Sequence, residues 1–192
     1  GLIMSMVEVC WHGRGGQGAK TASQFLGEAA LEIGKYIQAF PEYGPERAGA
    51  PMKAFTRISD EPIYVHSSVT NPDVVIVIDP TLLGAVNVTE GLKDEGVLLV
   101  NTGKSPADIR KETNFERGRV GIVDATKIAL ETLKIPMPNM PMLGAFLKVN
   151  NIVSVDEVSE VVRAKFLKKL GEEKTNANIE GIKRAYNELE IG

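Results

Sequence analysis

The sequence contains a single cysteine, Cys10, among its 192 residues. One thiol excludes a disulfide within the chain, and it excludes an iron–sulfur cluster or zinc site that only cysteines of this chain would ligate. Long apolar runs are also missing. The longest, VVIVI at 74–78, is far short of the roughly 20 residues that span a bilayer. The start of the chain lacks the basic end and the long apolar core of a signal peptide. We therefore expect a cytoplasmic protein without a membrane partner.

A strong excess of charge of either sign is missing as well. The net charge is −3 at pH 7, which provides no general attraction to nucleic acid or to acidic lipid. The hydrophobic fraction of 43% and the charged fraction of 24% are ordinary for a globular protein. A chain of this length is one large domain or two small ones, and it can bury a core without disulfides.

Hydrophobic periodicity predicts strands that alternate with helices. Segments that are apolar on both faces, such as VVIVID at 74–79, are typical of central strands covered on both sides. Between 35 and 66 three strands follow one another without a helix, which favours an antiparallel portion. We therefore predict an α/β fold, a three-layer α/β/α sandwich with a mixed, centrally parallel sheet and a helical C-terminal part. The predicted strands are 7–11, 35–40, 52–59, 63–66, 74–79, 97–102 and 120–125.

The predicted helices rest on apolar stripes with helical spacing and on capping residues. A capping box from Ser154 to Glu157 predicts the start of one of them. GEEK at 171–174 is interpreted as a solvated linker before the last helix. Besides the helix that follows the glycine-rich segment and ends near Gly34, helices are predicted at 89–95, 106–113, 128–133, 143–149 and about 155–170, and over the last residues to about 190.

WHGRGGQGAKTA at 11–22 places four glycines within six positions, between a predicted strand and a predicted helix. Three of them satisfy the G-x-G-x-x-G pattern of dinucleotide-binding folds. Glycines allow backbone N–H groups to approach an anion, the helix N-terminus adds partial positive charge, and the arginine adds a charged donor. The candidate residues for binding an anionic group are Gly13, Arg14, Gly15, Gly16, Gln17 and Gly18.

Three features argue against a nicotinamide cofactor at this segment. The acidic residue that would hold the ribose has only one candidate, Glu42, which lies in a proline-rich loop. The second strand continues into another strand without a crossover helix. Arg14 and Gln17 are also large side chains where small ones usually let a pyrophosphate pass. A strand-to-helix turn that is glycine-rich only for packing and for positive φ angles remains the alternative.

PEYGPERAGAP at 41–51 predicts a long irregular loop that its three prolines stiffen. Loops of this length inside a compact domain are usually functional. The loop would display Tyr43, Glu46 and Arg47, and aromatic and arginine side chains dominate binding at protein interfaces. We interpret these three as interface residues, with contact to an anionic cofactor as the alternative.

Polar residues also follow the predicted central strands, at the sheet edge where ligands of α/β proteins bind. Asp79 and Asp124 each precede a helix-like stretch, so helix capping is the favoured interpretation of both. His12 is interpreted as a local hydrogen-bonding partner and Cys10 as a buried packing residue. PMPNMPMLG at 136–144 is interpreted as core filling, with a methionine-rich contact surface as the alternative.

The segments GRGGQGAKTASQFLGEAA and QAFPEYGPERAGAPMKAFTRIS resemble the gamma subunit of the 2-oxoacid:ferredoxin oxidoreductases, the pyruvate branch in particular. The resemblance continues through NPDVVIVIDPTLL, GVLLVNT, VDAT and NMPMLGAFLKV, covers about 7–150, and fades in the C-terminal helices. It implies a single domain of the gamma type over 1–192, with its core at about 7–150 and C-terminal helices at about 155–190. Two long segments that match in order are much more specific than a glycine pattern. The segment AFPEYGPERAGAP is more similar to the pyruvate enzymes than to the 2-oxoglutarate or branched-chain enzymes.

The resemblance implies a multisubunit enzyme that converts pyruvate, coenzyme A and oxidised ferredoxin to acetyl-CoA, CO₂ and reduced ferredoxin. It implies alpha, beta and delta subunits as partners, with ferredoxin binding to the holoenzyme. Thiamine diphosphate, its magnesium and the iron–sulfur clusters would belong to those other subunits, so no cofactor, metal or catalytic residue is expected on this chain alone. The implied role is assembly or coenzyme A access, with Gly13–Gly18 facing coenzyme A or a partner chain.

Two other functions stay open on the sequence. One is the gamma subunit of a related enzyme that acts on 2-oxoglutarate or on branched-chain 2-oxoacids. The other, from a different class, is a free-standing nucleotide-binding dehydrogenase with a Rossmann-like fold.

Overall fold

The computed structural model describes residues 6–42 and 48–192. In this part of the chain, the strands are β1 (Met6–Arg14), β2 (Tyr36–Pro41), β3 (Pro51–Ser59), β4 (Val74–Val77), β5 (Val97–Asn101), β6 (Arg119–Val123) and β7 (Glu190–Ile191). The helices are α1 (Ala19–Glu32), α2 (Pro106–Thr113), α3 (Ala125–Thr132), α4 (Asn139–Val149), α5 (Val155–Leu170) and α6 (Glu172–Glu188). A short 3₁₀ helix, Pro80–Gly84, follows β4.

The strands form one sheet in the order β2-β3-β1-β4-β5-β6-β7. Strands β1, β4, β5 and β6 run parallel, whereas β3 is antiparallel to both of its neighbours and β7 is antiparallel to β6. The predicted mixed, centrally parallel sheet is therefore confirmed. Its antiparallel portion arises because β2 and β3 are close in the chain, and short connections join antiparallel neighbours. Since β3 lies between them, β1 and β2 are parallel to each other without being paired.

The two faces of the sheet are covered unequally. One face packs against α1, α3, α4, α5 and α6, in a core that includes Trp11, Leu26 and Phe146. The other face packs against α2, the 3₁₀ helix and loops, in a smaller core that includes Phe55 and Leu98. The predicted three layers are thus present, with one thick helical layer and one thin layer. The predicted core filling is confirmed for Met140 and Met142 of α4, which are buried, whereas Met137 is only partly buried.

Several helix boundaries agree with the sequence. The Ser154 hydroxyl accepts from the Glu157 amide at 3.0 Å, and the Glu157 carboxylate accepts from the Ser154 amide at 2.8 Å. The predicted capping box at the start of α5 is therefore confirmed. The predicted linker at 171–174 is wrong in extent, because α6 already begins at Glu172. Acidic residues in a first helical turn interact favourably with the helix dipole, so Glu172 and Glu173 support the helix instead of interrupting it.

The strand predicted at 63–66 is wrong. Tyr64, Val65 and His66 are exposed, and in the described residues no strand pairs with them. The side-chain amide of Gln38 donates to the carbonyl of Val65 at 2.7 Å, so a side chain holds this segment where a ladder would otherwise be needed. A β-branched and aromatic composition favours a strand only when a neighbouring strand is there to pair with it.

The helix predicted at 89–95 is also wrong, since this segment forms turns. The amide of Lys93 donates to the carbonyl of Pro72 at 3.1 Å, and the side-chain amide of Asn71 donates to the carbonyl of Gly91 at 3.1 Å. Other backbone groups make turn hydrogen bonds, such as that from the amide of Leu92 to the carbonyl of Thr89 at 3.0 Å. Local turns and the segment before β4 thus take the place of an α-helical ladder. Among the described helices, none is both long enough and apolar enough to cross a membrane.

Candidate functional site

Strands β1 and β4 are parallel neighbours whose connections leave the sheet on opposite faces. Helix α1 follows β1 on the thick helical face, and the 3₁₀ helix follows β4 on the other face. Between the carboxyl ends of two such strands an open α/β sheet forms the crevice where ligands bind. Here the crevice lies between Gly13–Gly18 and Asp79–Thr81, and we call it the β1–β4 crevice.

The loop formed by the glycine motif is shorter than the six residues, Gly13–Gly18, over which the pattern extends. Gly13 and Arg14 still belong to β1 and pair with β3, so the turn itself is formed by Gly15–Gly18. The amide of Gln17 donates to the carbonyl of Arg14 at 3.1 Å, and the Gln17 side-chain oxygen accepts from the Arg14 amide at 2.7 Å. The turn is therefore closed by its own residues.

The carboxylate of Asp79 occupies the β1–β4 crevice. Its Oδ2 accepts from Gln17 Nε2 at 2.7 Å and lies 3.2 Å from Arg14 Nε. Its Oδ1 accepts from the amide of Thr81 at 2.9 Å and from the Thr81 hydroxyl at 2.7 Å. Arg14 Nη2 also donates to that hydroxyl oxygen at 2.9 Å. The two side chains of the motif that could bind an external anion are thus held by an anion of the chain itself.

The environment of Asp79 keeps its carboxylate charged. Partial burial alone would raise the pKa of Asp79. Hydrogen bonds from Thr81 and Gln17, together with the charge of Arg14, outweigh burial and lower the pKa below its ordinary value. A phosphate group that entered the crevice would therefore compete with the Asp79 carboxylate, and it would bind Gln17 and Arg14 only after Asp79 had moved away from them.

The other side of the glycine turn contacts the end of the connection between β2 and β3. The amide of Gly15 donates to the carbonyl of Ala50 at 3.0 Å, and the amide of Gly49 donates to the carbonyl of Gly15 at 3.2 Å. Arg14 Nη1 donates to the carbonyl of Gly49 at 3.2 Å. The structure therefore joins the two segments that the sequence marks separately as functional. The predicted interface residues Tyr43, Glu46 and Arg47 lie outside the described residues.

Gly16 and Gly18 adopt positive φ angles of +91° and +77°. A Cβ atom on Gly18 would overlap the side chain of Asn139 at the start of α4, whereas a Cβ atom on Gly16 would meet nothing within 4 Å. The Asn139 side-chain amide donates to the carbonyl of Gly18 at 3.2 Å. Gly18 is therefore required for conformation and for space, whereas Gly16 is required for conformation alone. Helix α1 has neither a side-chain cap nor an acidic residue in its first turn, so its N-terminus keeps partial positive charge.

The next strands end in residues that cap helices. Asp79 caps the 3₁₀ helix, and Asp124 caps α3 by accepting from the amide of Lys127 at 3.1 Å. Both capping predictions are confirmed. Asn101 Oδ1 accepts from the amide of Ala125 at 2.9 Å, and Asn101 Nδ2 donates to the carbonyl of Ile78 at 2.9 Å. These side chains fasten the carboxyl edge of the sheet to the helices that follow it.

His12 and Cys10 are buried side by side on β1, 4% and 5% exposed, with Nε2 and Sγ 3.5 Å apart. Burial, and then the charge of Lys53 on β3, lowers the pKa of His12 to about 4. Burial raises the pKa of Cys10 to about 12, which the charge of Lys53 only partly opposes. Both groups are neutral at pH 7, and their predicted roles in local hydrogen bonding and packing are confirmed.

The sequence pattern does not predict Thr81 and Asn139 as parts of this region. A signal for Thr81 is present, because Asp79-Pro80 is a typical helix start in which the aspartate accepts from the amide two residues later. Asn139 lies 121 residues after Gly18, and no local pattern connects the two.

The described residues do not fit the metal groups of a 2-oxoacid oxidoreductase. In residues 6–42 and 48–192 no three His, Cys, Asp or Glu side chains lie close enough together to hold a metal ion. With Asp79 in place, the β1–β4 crevice does not offer the side chains of Arg14 and Gln17 to a diphosphate, because the Asp79 carboxylate already binds both.

Comparisons with known proteins place these features in a family. The family model described as pyruvate ferredoxin/flavodoxin oxidoreductase matches residues 8–188, which is further than the resemblance at 7–150. The chain is 54% identical over 182 residues to the pyruvate synthase subunit PorC of Thermotoga maritima, covering 95% of this chain and 94% of that protein. It is 47% identical over 186 residues to the common gamma subunit of the pyruvate and ketoisovalerate oxidoreductases of Pyrococcus furiosus, covering 97% and 98%. The crystal structure of the pyruvate oxidoreductase subunit PORC of Thermotoga maritima matches with a TM-score of 0.87 at 49% identity, covering 97% and 98%.

Proposed function

This chain belongs to the pyruvate ferredoxin/flavodoxin oxidoreductase family, and from that membership we propose that it is the gamma subunit of a pyruvate:ferredoxin oxidoreductase. That enzyme oxidatively decarboxylates pyruvate with coenzyme A to acetyl-CoA, CO₂ and reduced ferredoxin. The observation that carries the proposal is the 54% identity to a pyruvate synthase subunit over 95% of the chain.

As a subunit, the chain acts together with other subunits. Our proposal names these as alpha, beta and delta subunits, with ferredoxin binding to the assembled enzyme in the cytoplasm. Thiamine diphosphate and the iron–sulfur clusters would supply the decarboxylation and electron-transfer chemistry from those subunits. The chain itself would contribute no catalytic residue.

For the β1–β4 crevice and the segments around it we propose an assembly role. Asp79 neutralises Arg14 and binds Gln17, so the glycine turn is rigid and does not need a ligand to satisfy its side chains. The turn is joined through Gly49 and Ala50 to the loop that carries the proposed interface residues, Tyr43, Glu46 and Arg47. A rigid turn that supports an adjoining loop suits contact with a partner subunit. Coenzyme A contact at Gly13–Gly18 is the competing outcome of the test below.

The test of the enzyme assignment compares the chain alone with the chain co-expressed with its partner subunits. We expect no pyruvate- and coenzyme A-dependent ferredoxin reduction from the purified chain, and full activity from the co-expressed complex. Turnover of pyruvate by this polypeptide alone would contradict the assignment. Tight binding of NADH or NADPH, measured as a change in the fluorescence of Trp11, would contradict it as well.

The test of the assembly role uses Gly16→Val with Gly34→Val as its matched control. Both glycines have positive φ angles, +91° and +87°, and open space around the missing Cβ, so the backbone strain is comparable. Gly34 follows the far end of α1. We expect Gly16→Val to fold but to co-purify poorly with the other subunits, while Gly34→Val co-purifies normally. Normal assembly of Gly16→Val with a raised KM for coenzyme A would instead make the turn a ligand contact.

A second candidate substrate class has a specific observation in its favour. A relative that is 47% identical is named as common to pyruvate and ketoisovalerate enzymes. One gamma subunit of this kind therefore serves two 2-oxoacids, which other subunits would select. The test is affinity purification of this chain from its native cells, followed by assays with pyruvate, 2-oxoglutarate and ketoisovalerate. Activity with pyruvate alone would indicate one enzyme, whereas activity with more than one of these acids would indicate a gamma subunit that several enzymes share.

A further inference from the structure

The two edges of the sheet are covered differently. β2 lies at one end of the strand order, and no other strand of the described residues pairs with its outer side. At the opposite end the two-residue β7 pairs with β6, the last of the long strands. An uncovered strand edge presents unpaired N–H and C=O groups to which another strand can bind. Whether β6 is an open edge therefore depends on a very short segment.

The outward groups at the edge of β2 belong to Ile37 and Ala39. The amide of Glu42 donates to the carbonyl of Lys53 at 3.0 Å, so the even-numbered positions of β2 exchange hydrogen bonds with β3. Backbone groups alternate in direction along an antiparallel strand, so those of the odd-numbered positions point away from β3.

Residues 189–192, which we call the strap, bind the corresponding outward groups of β6. Ile122 lies opposite Glu190. The amide of Gly192 donates to the carbonyl of Val120 at 2.8 Å, and the amide of Val120 donates to the carbonyl of Gly192 at 3.2 Å. Because of the alternation along an antiparallel pair, the groups of β6 that point to the strap are those of Val120 and Ile122. Without the strap these groups would form an open edge.

Two glycines provide the space in which the strap lies. A Cβ atom on Gly121 of β6 would be 3.2 Å from Cδ1 of Leu189, and a Cβ atom on Gly192 would be 2.9 Å from Cβ of Pro106. Leu189 directly follows α6 and packs against the thick helical layer, whereas Pro106 begins α2 of the thin layer. The strap therefore crosses the edge of the sheet from one layer to the other.

Arg110 on α2 binds the far end of the strap. Its Nη2 donates to the carbonyl of Gly192 at 2.8 Å and to the carbonyl of Gly118 at 2.9 Å. Its Nη1 donates to the carbonyls of Phe115 and Arg117 at 3.2 Å and 3.3 Å. All four Nη hydrogens thus bind carbonyls, three in the connection from α2 to β6 and one in the strap. One side chain joins the strap to the segment that leads into β6.

Burial contributes little to the strap itself. Glu190, Ile191 and Gly192 are exposed, and Leu189 is half-buried. Segments with few buried apolar contacts open locally, at a lower free energy than the core of the same protein. The strap is therefore held mainly by its backbone hydrogen bonds to β6 and by Arg110.

We propose that the strap is a conformational lock on the β6 edge, which Arg110 keeps closed and which opens without unfolding of the sheet. In the closed state the outward groups of Val120 and Ile122 are bound within the chain, so this edge is not available to a strand of another chain. In the open state it would expose Val120–Val123, which carry no charge. This proposal does not depend on the enzyme assignment.

The first experiment measures amide hydrogen exchange in the full chain by NMR, with each rate corrected for its intrinsic value. The amides of Gly121 and Val123 lie on the side of β6 that pairs with β5. We expect the amides of Val120 and Ile122 to exchange at least about tenfold faster than these two, because local opening of the strap is sufficient to expose them. Equal rates for the four amides would overturn the proposal, since the edge would then open only together with the sheet.

The second experiment tests the role of Arg110. Arg110→Gln is compared with Arg117→Gln, because Arg117 lies in the same connection and its side chain pairs with Asp94 at the surface. We expect Arg110→Gln to raise the exchange rates of the Val120 and Ile122 amides by about tenfold or more, as for the loss of a hydrogen bond from a charged group. Arg117→Gln should leave these rates unchanged. Equal effects of the two variants, or an equal rise at every amide of β6, would contradict a lock at Arg110.

The third experiment perturbs the strap from its other side. Gly192→Ala places a Cβ atom against Pro106, whereas Gly84→Ala meets nothing within 4 Å and is the matched control. We expect Gly192→Ala to raise the exchange rates of the Val120 and Ile122 amides and Gly84→Ala to leave them unchanged. Unchanged rates in Gly192→Ala would contradict the proposal, because the position of the strap against α2 would then not decide whether the edge is closed.

Discussion

The β1–β4 crevice and the outer edge of β2 lie in the same sheet but use their hydrogen-bonding groups in opposite ways. In the crevice the donors of Arg14 and Gln17 are bound by Asp79, and the turn is closed by its own residues. At β2 the backbone groups of Ile37 and Ala39 have no partner strand in the described part of the chain. A motif with the spacing of a ligand site is thus self-satisfied, while a plain strand is open. The spacing of a motif therefore does not by itself show whether its donors and acceptors are free.

The largest expected effect comes from breaking the crevice at Gly18. Gly18→Val combines a positive φ angle with overlap of the Asn139 side chain, and we expect a loss of about 3 to 4 kcal/mol in unfolding free energy. Gly16→Val carries the same kind of strain without overlap and should lose about 1 to 2 kcal/mol. Urea denaturation of both variants measures the difference. Equal losses would show that contact with α4 does not hold the turn.

The next prediction concerns the pH dependence of the unfolding free energy that is due to His12, near the end of β1. An unfolded histidine titrates near about 6.5, whereas the pKa of His12 in the fold is about 4. Between these values the unfolded chain binds more protons, so stability falls as the pH falls. We expect His12 to contribute a loss of about 3 kcal/mol between neutral pH and about pH 4.

The measurement is the difference in unfolding free energy between the wild type and His12→Gln across that pH range. The difference in unfolding free energy between the wild type and His12→Gln should narrow as the pH falls. Parallel curves for the wild type and His12→Gln would contradict the burial of a neutral imidazole.

A smaller effect is expected from Asp79→Asn, which keeps the cap but removes the charge that binds Arg14. We expect a loss of about 1 to 2 kcal/mol at pH 7, as for a hydrogen bond to a charged group. The pKa of Asp79 is lowered in the fold, so its contribution is present above the unfolded value of about 3.9 and disappears as the pH falls through the lower, folded value. Asp124→Asn is the control, because asparagine caps a helix as well as aspartate does. Equal losses of unfolding free energy for Asp79→Asn and Asp124→Asn would show that the contacts of Asp79 with Arg14 and Gln17 contribute nothing to stability.

The smallest effect on stability is expected for a variant of β2, the other region of the comparison. Tyr36→Lys should leave the unfolding free energy of the monomer within about 0.5 kcal/mol of the wild type, because an exposed side chain makes few contacts within the chain. Thermal unfolding at low protein concentration measures this, and a large loss in the monomer would show that Tyr36 is part of the core.

Most of the fold could be predicted from the sequence, because its signals are local. The alternation of buried strands such as β4 and β5 with amphipathic helices, and the capping box of α5, require only near neighbours in the chain. The two wrong elements, at 63–66 and 89–95, had suitable composition but depended on distant partners. The strand had no ladder to join, and the backbone of the turn segment is bound by Asn71 and Pro72.

The sequence by itself determined the family, the layered α/β architecture and the position of the glycine motif, because composition, periodicity and matched segments are properties of the chain alone. Only the tertiary structure decided that Asp79 occupies the crevice, that Asn139 closes on Gly18, and that β2 is left at the end of the sheet. The first two pairs are separated by 62 and 121 residues, and no local pattern encodes a contact at such a distance. The place of β2 follows from strand order, which is set when distant strands compete for the same neighbours.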